Sequence, residues 1–253
     1  MREEQLVRYA RRLAVHSLST QAVYLGAVKR FFSFLERRGV LLRNPASELR
    51  APRVERLPRR PLSVAQARQL FEAPAGSRVE RRDRAILELL YGTGIRRGEC
   101  LRLDLMDLDL AEAALFIRDG KERKDRLVPV PGRARQALDV YLTGVRPELM
   151  KDPGEGALFL TTRGTRVSQS LLDLVVRRRA RAAGLPRPVS PHVLRHSCAT
   201  HLLRGGAGVR QVQELLGRRS LQTTALFTRV EVEDLRAVIR RCHPRERAWK
   251  GEA

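Results

Sequence analysis

Apolar residues recur every three or four positions along residues 1–50, and this spacing predicts helices with one apolar face. The first helix carries Leu6, Tyr9 and Leu13, and the second carries Val23, Ala27, Phe31, Phe34 and Leu35. Ser19 or Thr20 can cap the second helix, and Gly39 can end it. Arginines and Lys29 occupy the opposite face. Residues 1–50 are therefore predicted to form a short helical domain.

The next stretch, residues 51–61, is rich in proline and arginine. Its prolines suppress helix formation and favour an extended chain. They are Pro52, Pro58 and Pro61, and they alternate with Arg53, Arg56, Arg59 and Arg60. We place the domain boundary in this basic linker.

Beyond the linker, the pattern predicts helices interrupted by one hairpin. Ser63 can cap a helix from Val64 to Glu72, and a strongly apolar helix from Arg82 to Tyr91 ends at Gly92 to Gly94. The apolar runs 115–118 and 127–130 predict a β-hairpin around a polar turn. The remainder, from Arg133 to Arg241, reads as mostly helical, with a final helix from Glu231. The predicted fold is mainly α with a small antiparallel β-sheet, comprising a second domain over 62–230 and a C-terminal helix and tail over 231–253.

The charge balance narrows the choice of partner. The chain has 50 lysines and arginines against 28 aspartates and glutamates, a formal net charge of +22. Such an imbalance opposes compaction unless an anionic partner neutralises it, and nucleic acid is the first candidate for that partner.

Other features exclude several classes of protein. No run approaches the roughly 18 uncharged apolar residues of a membrane span, and the first residues lack the apolar core of a signal peptide. We therefore expect a cytoplasmic protein with no membrane partner. Cys100, Cys198 and Cys242 are expected to be reduced thiols, and their spacing to histidines matches no zinc motif. No metal or cofactor is predicted.

Four basic residues are candidates for phosphate chemistry. Ser190 followed by Pro191 predicts a helix start, so His192 and Arg195 would lie on one face near a helix N-terminus, where anions bind well. Arg96 follows Gly94 at another predicted helix start, and its guanidinium can hold two phosphate oxygens. Lys121 lies in the hairpin turn, where it can reach a leaving oxygen as a proton donor. Taken singly, each is equally explained by a basic surface.

Together these residues belong to motifs that occur in a recognisable order. They are Tyr91 to Glu99, Gly120 to Pro129, Ser190 to His201, and Leu215 to Gly217 followed by Thr223 to Thr228. They resemble the active-site motifs of the tyrosine recombinase (phage integrase) family, most closely those of the bacterial recombinases that resolve chromosome dimers. The resemblance covers roughly 62–230.

The resemblance implies metal-free phosphoryl transfer at DNA. Arg96 and Arg195 would hold the non-bridging oxygens of the scissile phosphate and stabilise its transition state. Lys121 would protonate the leaving 5′ oxygen, and His192 would assist proton transfer. A tyrosine would attack the phosphorus and store the bond as a 3′-phosphotyrosine. The resemblance also implies that 1–50 is a short core-binding (SAM-like) domain, which would clamp DNA together with the second domain. The C-terminal helix would dock on a neighbouring subunit in a homo- or hetero-oligomer.

Two positions depart from the family pattern. The nucleophile position holds Phe227, whose ring carries no oxygen, and the position that is usually histidine or tryptophan holds Arg218. The tyrosines of the chain are Tyr9, Tyr24, Tyr91 and Tyr141, none of them in the C-terminal region. Phenylalanine cannot form the covalent intermediate, so we predict a pseudoenzyme that does not recombine DNA by itself.

Three interpretations of the sequence remain open. In the first, the chain binds recombination sites without cleaving them, as a regulatory subunit, a competitor or a decayed gene, or as a deliberate Tyr-to-Phe variant that traps a complex. In the second, an active partner supplies the tyrosine in trans. In the third, Val209, Val212, Leu215 and Leu216, Gly217 and a second segment from Leu221 form the helix-turn-helix of a transcriptional regulator.

Overall fold

The computed structural model of the chain describes residues 3–53, 60–72, 76–118, 125–186, 188–217 and 229–246. Contacts between residues divide it into two units, Met1–Pro58 and Arg59–Ala253.

The first unit is built from helix α1 (Glu3–Arg12), a 3-10 turn (Leu13–Val15) and helix α2 (Leu18–Arg37). Its small core consists of Leu6, Leu13, Leu25, Phe32, Ala46 and Leu49. Helix α2 starts before the predicted caps, because the Ser17 hydroxyl accepts a hydrogen bond from the backbone N–H of Thr20 at 3.3 Å. Gly39, with φ of 72°, follows the helix as predicted.

The apolar positions of α2 lie on two sides of the helix. Leu25 and Phe32 are buried, whereas Val23, Phe31 and Phe34 are 56%, 56% and 46% exposed. Of the predicted apolar face, Leu35 packs against this core, whereas Val23, Phe31 and Phe34 do not. Spacing alone did not distinguish the two faces, because both repeat with a helical period.

The second unit is organised around helix α4 (Arg78–Thr93), whose side chains Ile86, Leu87, Leu89 and Leu90 are fully buried. This helix starts earlier than predicted because Ser77 and Glu80 form a reciprocal capping box. The neighbouring helices are α3 (Val64–Glu72), α5 (Arg97–Arg102), α6 (Gly132–Gly144), α7 (Arg146–Leu149), α8 (Gln169–Ala182), α9 (Pro191–Arg204), α10 (Val209–Leu216) and α11 (Arg229–Cys242).

A three-stranded antiparallel sheet completes this unit. Its strands are β1 (Leu108–Asp109), β2 (Ala114–Ile117) and β3 (Arg126–Pro129), in the order β1-β2-β3. Leu115 pairs with Val128, and Ile117 pairs with Arg126. The predicted fold class, mainly α with a small antiparallel sheet, is confirmed. Strand β1 was not predicted, because two residues are too few to show an alternating pattern.

A chain of hydrogen bonds attaches the start of this unit to α9. The Leu62 N–H donates to the Ser197 hydroxyl at 2.8 Å, and Nε2 of His201 lies 2.8 Å from the Leu62 carbonyl. A carbonyl can only accept, so Nε2 carries the proton and Nδ1 accepts from the Tyr91 hydroxyl at 2.7 Å. Burial lowers the pKa of His201, in keeping with this neutral tautomer.

The segment after α11 packs against α4 of the same chain. Nε of Arg245 donates to the Glu88 carboxylate at 2.9 Å, and its guanidinium lies 4.8 Å from the centre of the Phe71 ring. His243 is fully buried beside Tyr91. The apolar face of α11, formed by Leu235, Val238 and Ile239, belongs to the core of its own unit. Docking of this segment on a neighbouring subunit stays a prediction.

Candidate active site

The first arginine of the candidate site is positioned by a close approach of three helices. Helix α4 ends at Gly94, which adopts φ of 63°, and Arg96 then precedes α5. A Cβ on Gly94 would lie 2.5 Å from Cδ2 of Leu216 on α10 and 3.2 Å from Sγ of Cys198 on α9. Glycine is required here both for the left-handed backbone and for this packing. The predicted helix start at Arg96 is confirmed.

Arg195 lies in α9, one turn after the predicted N-terminal cap. The Ser190 hydroxyl accepts from the Val193 N–H at 3.4 Å, and Pro191 opens the helix, as the sequence predicted. The Arg195 side chain is buried, and its two amino groups donate to the carbonyls of Gly94 at 2.5 Å and Leu216 at 2.6 Å. His192, in the first turn of the same helix, is exposed.

Arg96 and Arg195 converge on consecutive carbonyls. Nη2 of Arg96 donates to Gly217 at 2.7 Å, next to the Leu216 carbonyl that Arg195 uses. These carbonyls lie at the C-terminal end of α10, where backbone oxygens lack helical partners and carry partial negative charge. The helix end therefore holds two guanidiniums side by side. The structure thus brings together the two arginines that the sequence singled out.

Glu99 holds Arg96 from the other side. Its carboxylate accepts from Nη1 of Arg96 and from the Arg96 backbone N–H, each at 2.7 Å. It also accepts two hydrogen bonds from Arg126, at 3.0 and 2.8 Å. Burial raises the pKa of Glu99, but the bonds and charge of Arg126, with the bonds from Arg96, outweigh it and lower the pKa to about 2. Glu99 is therefore a fixed negative charge at neutral pH.

Sequence reasoning gave Glu99 and Arg126 no role. Glu99 is three residues after Arg96, the spacing of a residue that bonds back to a helix start. Arg126 shares the inward face of β3 with Val128, and a charged residue at such a position signals a buried partner. Both signals are present in the sequence, but they depend on knowing where α5 and β3 begin.

The cluster of Arg96, Arg126, Arg195 and Glu99 carries an excess of positive charge. The Glu99 carboxylate pairs with Arg96 and Arg126, and Arg195 adds a third guanidinium, which leaves two positive charges. The Arg96 side chain is 31% exposed. Such an arrangement can hold an anion with two or more oxygens, such as a phosphate. Among the described residues, no group of three or more potential metal ligands was found.

The remaining predicted site residues lie outside the described residues. Lys121 belongs to the connection between β2 and β3, Arg218 directly follows Gly217, and Phe227 precedes α11. Their expected roles stay predictions. Cys198, which packs beside Gly94, is a free and fully buried thiol, and burial raises its pKa to about 12. It is therefore a packing residue with little thiolate character.

The comparison with known proteins decides the family. The sequence profile of the phage integrase family matches residues 60–234. Tyrosine recombinase XerC 2 of Ralstonia nicotianae is 44% identical over 230 residues, which are 90% of this chain and 66% of that protein. The chain belongs to the phage integrase family of tyrosine recombinases. Tyrosine recombinase XerD of Mycobacterium tuberculosis is 42% identical over 240 residues, which are 92% of this chain and 77% of that relative.

Solved structures of the phage integrase family share the fold. The XerA recombinase superimposes with a TM-score of 0.58 at 30% identity, over 93% of this chain and 82% of the other. The XerH site-specific recombinase, bound to its difH substrate before cleavage, superimposes with a TM-score of 0.67 at 25% identity. That match covers 87% of this chain and 65% of XerH.

No helix in the described ranges is long and apolar enough to cross a membrane.

Proposed function

We propose that this chain binds double-stranded DNA in site-specific recombination and does not cleave DNA on its own. The observation that carries the proposal is the pair formed by Arg96 and Arg195 at the end of α10. The chain continues from this point to Phe227, ten residues beyond Gly217. The carbonyls that the two arginines bind thus closely precede the predicted nucleophile position in the sequence.

The electrostatics of the site support a phosphate ligand. The buried carbonyls of Leu216 and Gly94 orient Arg195, and Glu99 orients Arg96, so neither guanidinium would need to reorganise around an anion. The net charge of +22 supports a polyanionic partner such as DNA. The XerH recombinase is bound to its difH substrate, and a Tn1549 transposon integrase with the same fold is in complex with circular intermediate DNA.

The absence of a hydroxyl at position 227 supports a non-cleaving role. A phenyl ring cannot form a phosphoester bond, so strand cleavage and rejoining through a covalent intermediate would have no nucleophile. Lys121 and His192 would still be available for proton transfer, and Arg218 would add positive charge beside Gly217. The site would then bind a scissile phosphate without reacting with it.

Action within an oligomer of related subunits is part of the proposal. A lambda integrase tetramer bound to a Holliday junction shows that this fold is compatible with assembly on DNA. The second candidate function follows from such an assembly: an active partner would supply a tyrosine in trans to this chain's phosphate site. The network of Arg96, Arg195 and Glu99 favours it, because two oriented guanidiniums can hold one phosphate for a nucleophile from another subunit.

The helix-turn-helix interpretation is less well supported. Helix α10 buries Val212, Leu215 and Leu216, and its terminal carbonyls are occupied by Arg96 and Arg195. A recognition function for the segment from Leu221 explains neither these contacts nor the family match. Selection of a short palindromic operator by the chain alone would favour a regulator.

The proposal is tested by DNA binding across a salt series, using duplexes that the chain itself selects from a random library. Arg96→Met should weaken binding and lower the slope of log affinity against log salt by about one, the value for one lost phosphate contact. Arg135→Met, on an exposed position of α6, is the matched control and should change the affinity less. Equal effects from the two variants would contradict a phosphate site at Arg96.

The trans-donor function is tested by mixing this chain with an active XerC-type recombinase on one duplex. Covalent DNA adducts that require Arg96 of this chain would establish it. If adducts form equally with the Arg96→Met variant, this chain contributes no phosphate site to the reaction.

A further inference from the structure

Arg126 is a buried arginine that pairs with Glu99. It is the first residue of β3, and its side chain is 5% exposed. Nη1 and Nη2 each donate to one oxygen of Glu99, in a two-bond arrangement that fixes both planes. Nε has no hydrogen-bond partner among the described residues. Among the described residues, the ion pair of Arg126 is with Glu99.

The Glu99 carboxylate pairs with two guanidiniums and is almost fully buried. Its side chain is 2% exposed, so water does not screen its charge. It binds Arg96 through one amino group and the backbone N–H, and it binds Arg126 through two amino groups. If Glu99 faced Arg96 alone, the two charges would cancel, and Arg96 would attract a phosphate weakly.

Arg126 also lies against the residue that receives Arg96. A Cβ on Gly217 would come within 2.9 Å of Cζ of Arg126 and 3.0 Å of its Nε. The carbonyl of the same Gly217 accepts from Arg96 at 2.7 Å. Arg126 therefore touches both groups that orient Arg96, the Glu99 carboxylate and the Gly217 backbone.

We propose that Arg126 is a positioning residue for the phosphate site: it neutralises Glu99, so that Glu99 fixes the orientation of Arg96 without cancelling its charge toward a DNA phosphate. This inference rests on the proposed function, in which Arg96 and Arg195 hold a backbone phosphate. It assigns distinct tasks to two arginines that share one carboxylate. Arg96, whose side chain is 31% exposed, faces the ligand, and Arg126, which is buried, balances the charge.

The charge argument predicts a specific pattern among variants. Arg126→Met leaves Glu99 to Arg96 alone and should weaken binding of the library-selected duplexes about as much as Arg96→Met. Adding Glu99→Gln to Arg126→Met removes the uncompensated charge and should restore most of the lost affinity. Arg126→Lys keeps the charge but not the two-bond geometry, and its affinity should lie between those of the wild type and Arg126→Met.

Two controls separate this role from a general effect of charge or packing. Arg126→Met combined with Glu148→Gln changes the net charge equally, but Glu148 is an exposed residue paired with Arg78, so affinity should not recover. Glu99→Gln also removes the buried charge that destabilises Arg126→Met, so the unfolding free energy of each variant is measured and affinities are compared where every variant is fully folded. A purely structural Arg126 would then give Arg126→Met the affinity of the wild type. If Arg126→Met does not fold, the comparison of Arg126→Lys with and without Glu99→Gln replaces it.

The second readout is the titration of Glu99 followed by carboxyl carbon-13 NMR. In the wild-type protein Glu99 should titrate at about 2. In Arg126→Lys its pKa should rise, because the lysine forms weaker hydrogen bonds to oppose the effect of burial. An unchanged titration, or full affinity in Arg126→Met when Arg96→Met is impaired, overturns the proposal. If Arg96→Met itself binds normally, the proposed phosphate site fails first, and the Glu99 titration still reports whether Arg126 holds its charge.

Discussion

Gly94 and Leu216 approach each other so closely that a Cβ on Gly94 would lie 2.5 Å from the Leu216 Cδ2 atom. Gly94 also has φ of 63° and provides the carbonyl that accepts from Arg195. Gly94→Ala should therefore destabilise the second unit by about 2–4 kcal/mol, through left-handed strain and overpacking. Denaturant unfolding measures this loss.

Gly144→Ala is the matched control for Gly94. Gly144 ends α6, and no atom lies within 4 Å of a Cβ built there. Its replacement should leave stability within about 1 kcal/mol of the wild type or raise it. If the two substitutions have equal effects, the close packing of α4 against α10 is not what requires glycine at position 94.

The buried pair of Glu88 and Arg245 predicts that the segment after α11 contributes to stability. Both side chains are almost fully buried, at 1% and 6% exposure. Arg245→Met would leave an uncompensated carboxylate in the core and should destabilise the protein by about 3 kcal/mol or more. The half-exposed pair of Arg68 and Glu72 provides the comparison, and Arg68→Met should cost less than about 1 kcal/mol.

Thermal or denaturant unfolding of both variants tests this prediction. The double variant Glu88→Met with Arg245→Met should lose less stability than Arg245→Met alone, because no buried charge remains. If Arg245→Met lowers the free energy of unfolding no more than Arg68→Met does, the buried pair of Glu88 and Arg245 does not stabilise the protein.

His243 predicts a fall in stability on mild acidification. Burial lowers its pKa to about 3, against about 6.5 in an unfolded chain. Below pH 6.5 the unfolded state therefore takes up a proton that the folded state refuses, and stability falls as the pH drops toward 3. The limiting slope for one such residue is about 1.4 kcal/mol per pH unit. His201, whose pKa is also lowered by burial, adds to it.

This prediction is tested by measuring the free energy of unfolding from about pH 7 to about pH 5, a range that contains the ordinary histidine pKa. His243→Gln should flatten the pH dependence while lowering stability at pH 7. Glu99 does not interfere, since its lowered pKa affects stability only below its ordinary value of 4.5. An identical slope in the wild type and His243→Gln would show that His243 accepts its proton in the folded state.

Much of the fold was predictable because local rules determine it. The structure confirms the helix start at Ser190 and Pro191, the helix end at Gly94 and the pairing of β2 with β3, whereas Gly92 continues α4. The packing face of α2 was not predictable in this way. Apolar residues lie on two sides of that helix, and only tertiary contacts decide which side is buried.

The residues of the candidate site also differ in whether the sequence alone could identify them. Arg96 and Arg195 were found because they belong to recognisable motifs. Glu99 and Arg126 were missed because their role depends on a contact between α5 and β3. The two residues that form this contact are 27 positions apart in the sequence. The sequence also could not predict that Arg96 and Arg195 bind the carbonyls at the end of α10, because every residue has a backbone carbonyl.

The proposed function requires that Arg96 and Arg195 hold a DNA phosphate and that Phe227 provide no nucleophile. A suicide substrate, nicked so that cleavage cannot be reversed, tests it directly when the chain and Phe227→Tyr are compared on a denaturing gel. The account predicts a covalent protein–DNA adduct with Phe227→Tyr, its loss when Arg96→Met is added, and none with the unaltered chain. A covalent adduct formed by the unaltered chain, or none from Phe227→Tyr on DNA that it demonstrably binds, would contradict the account.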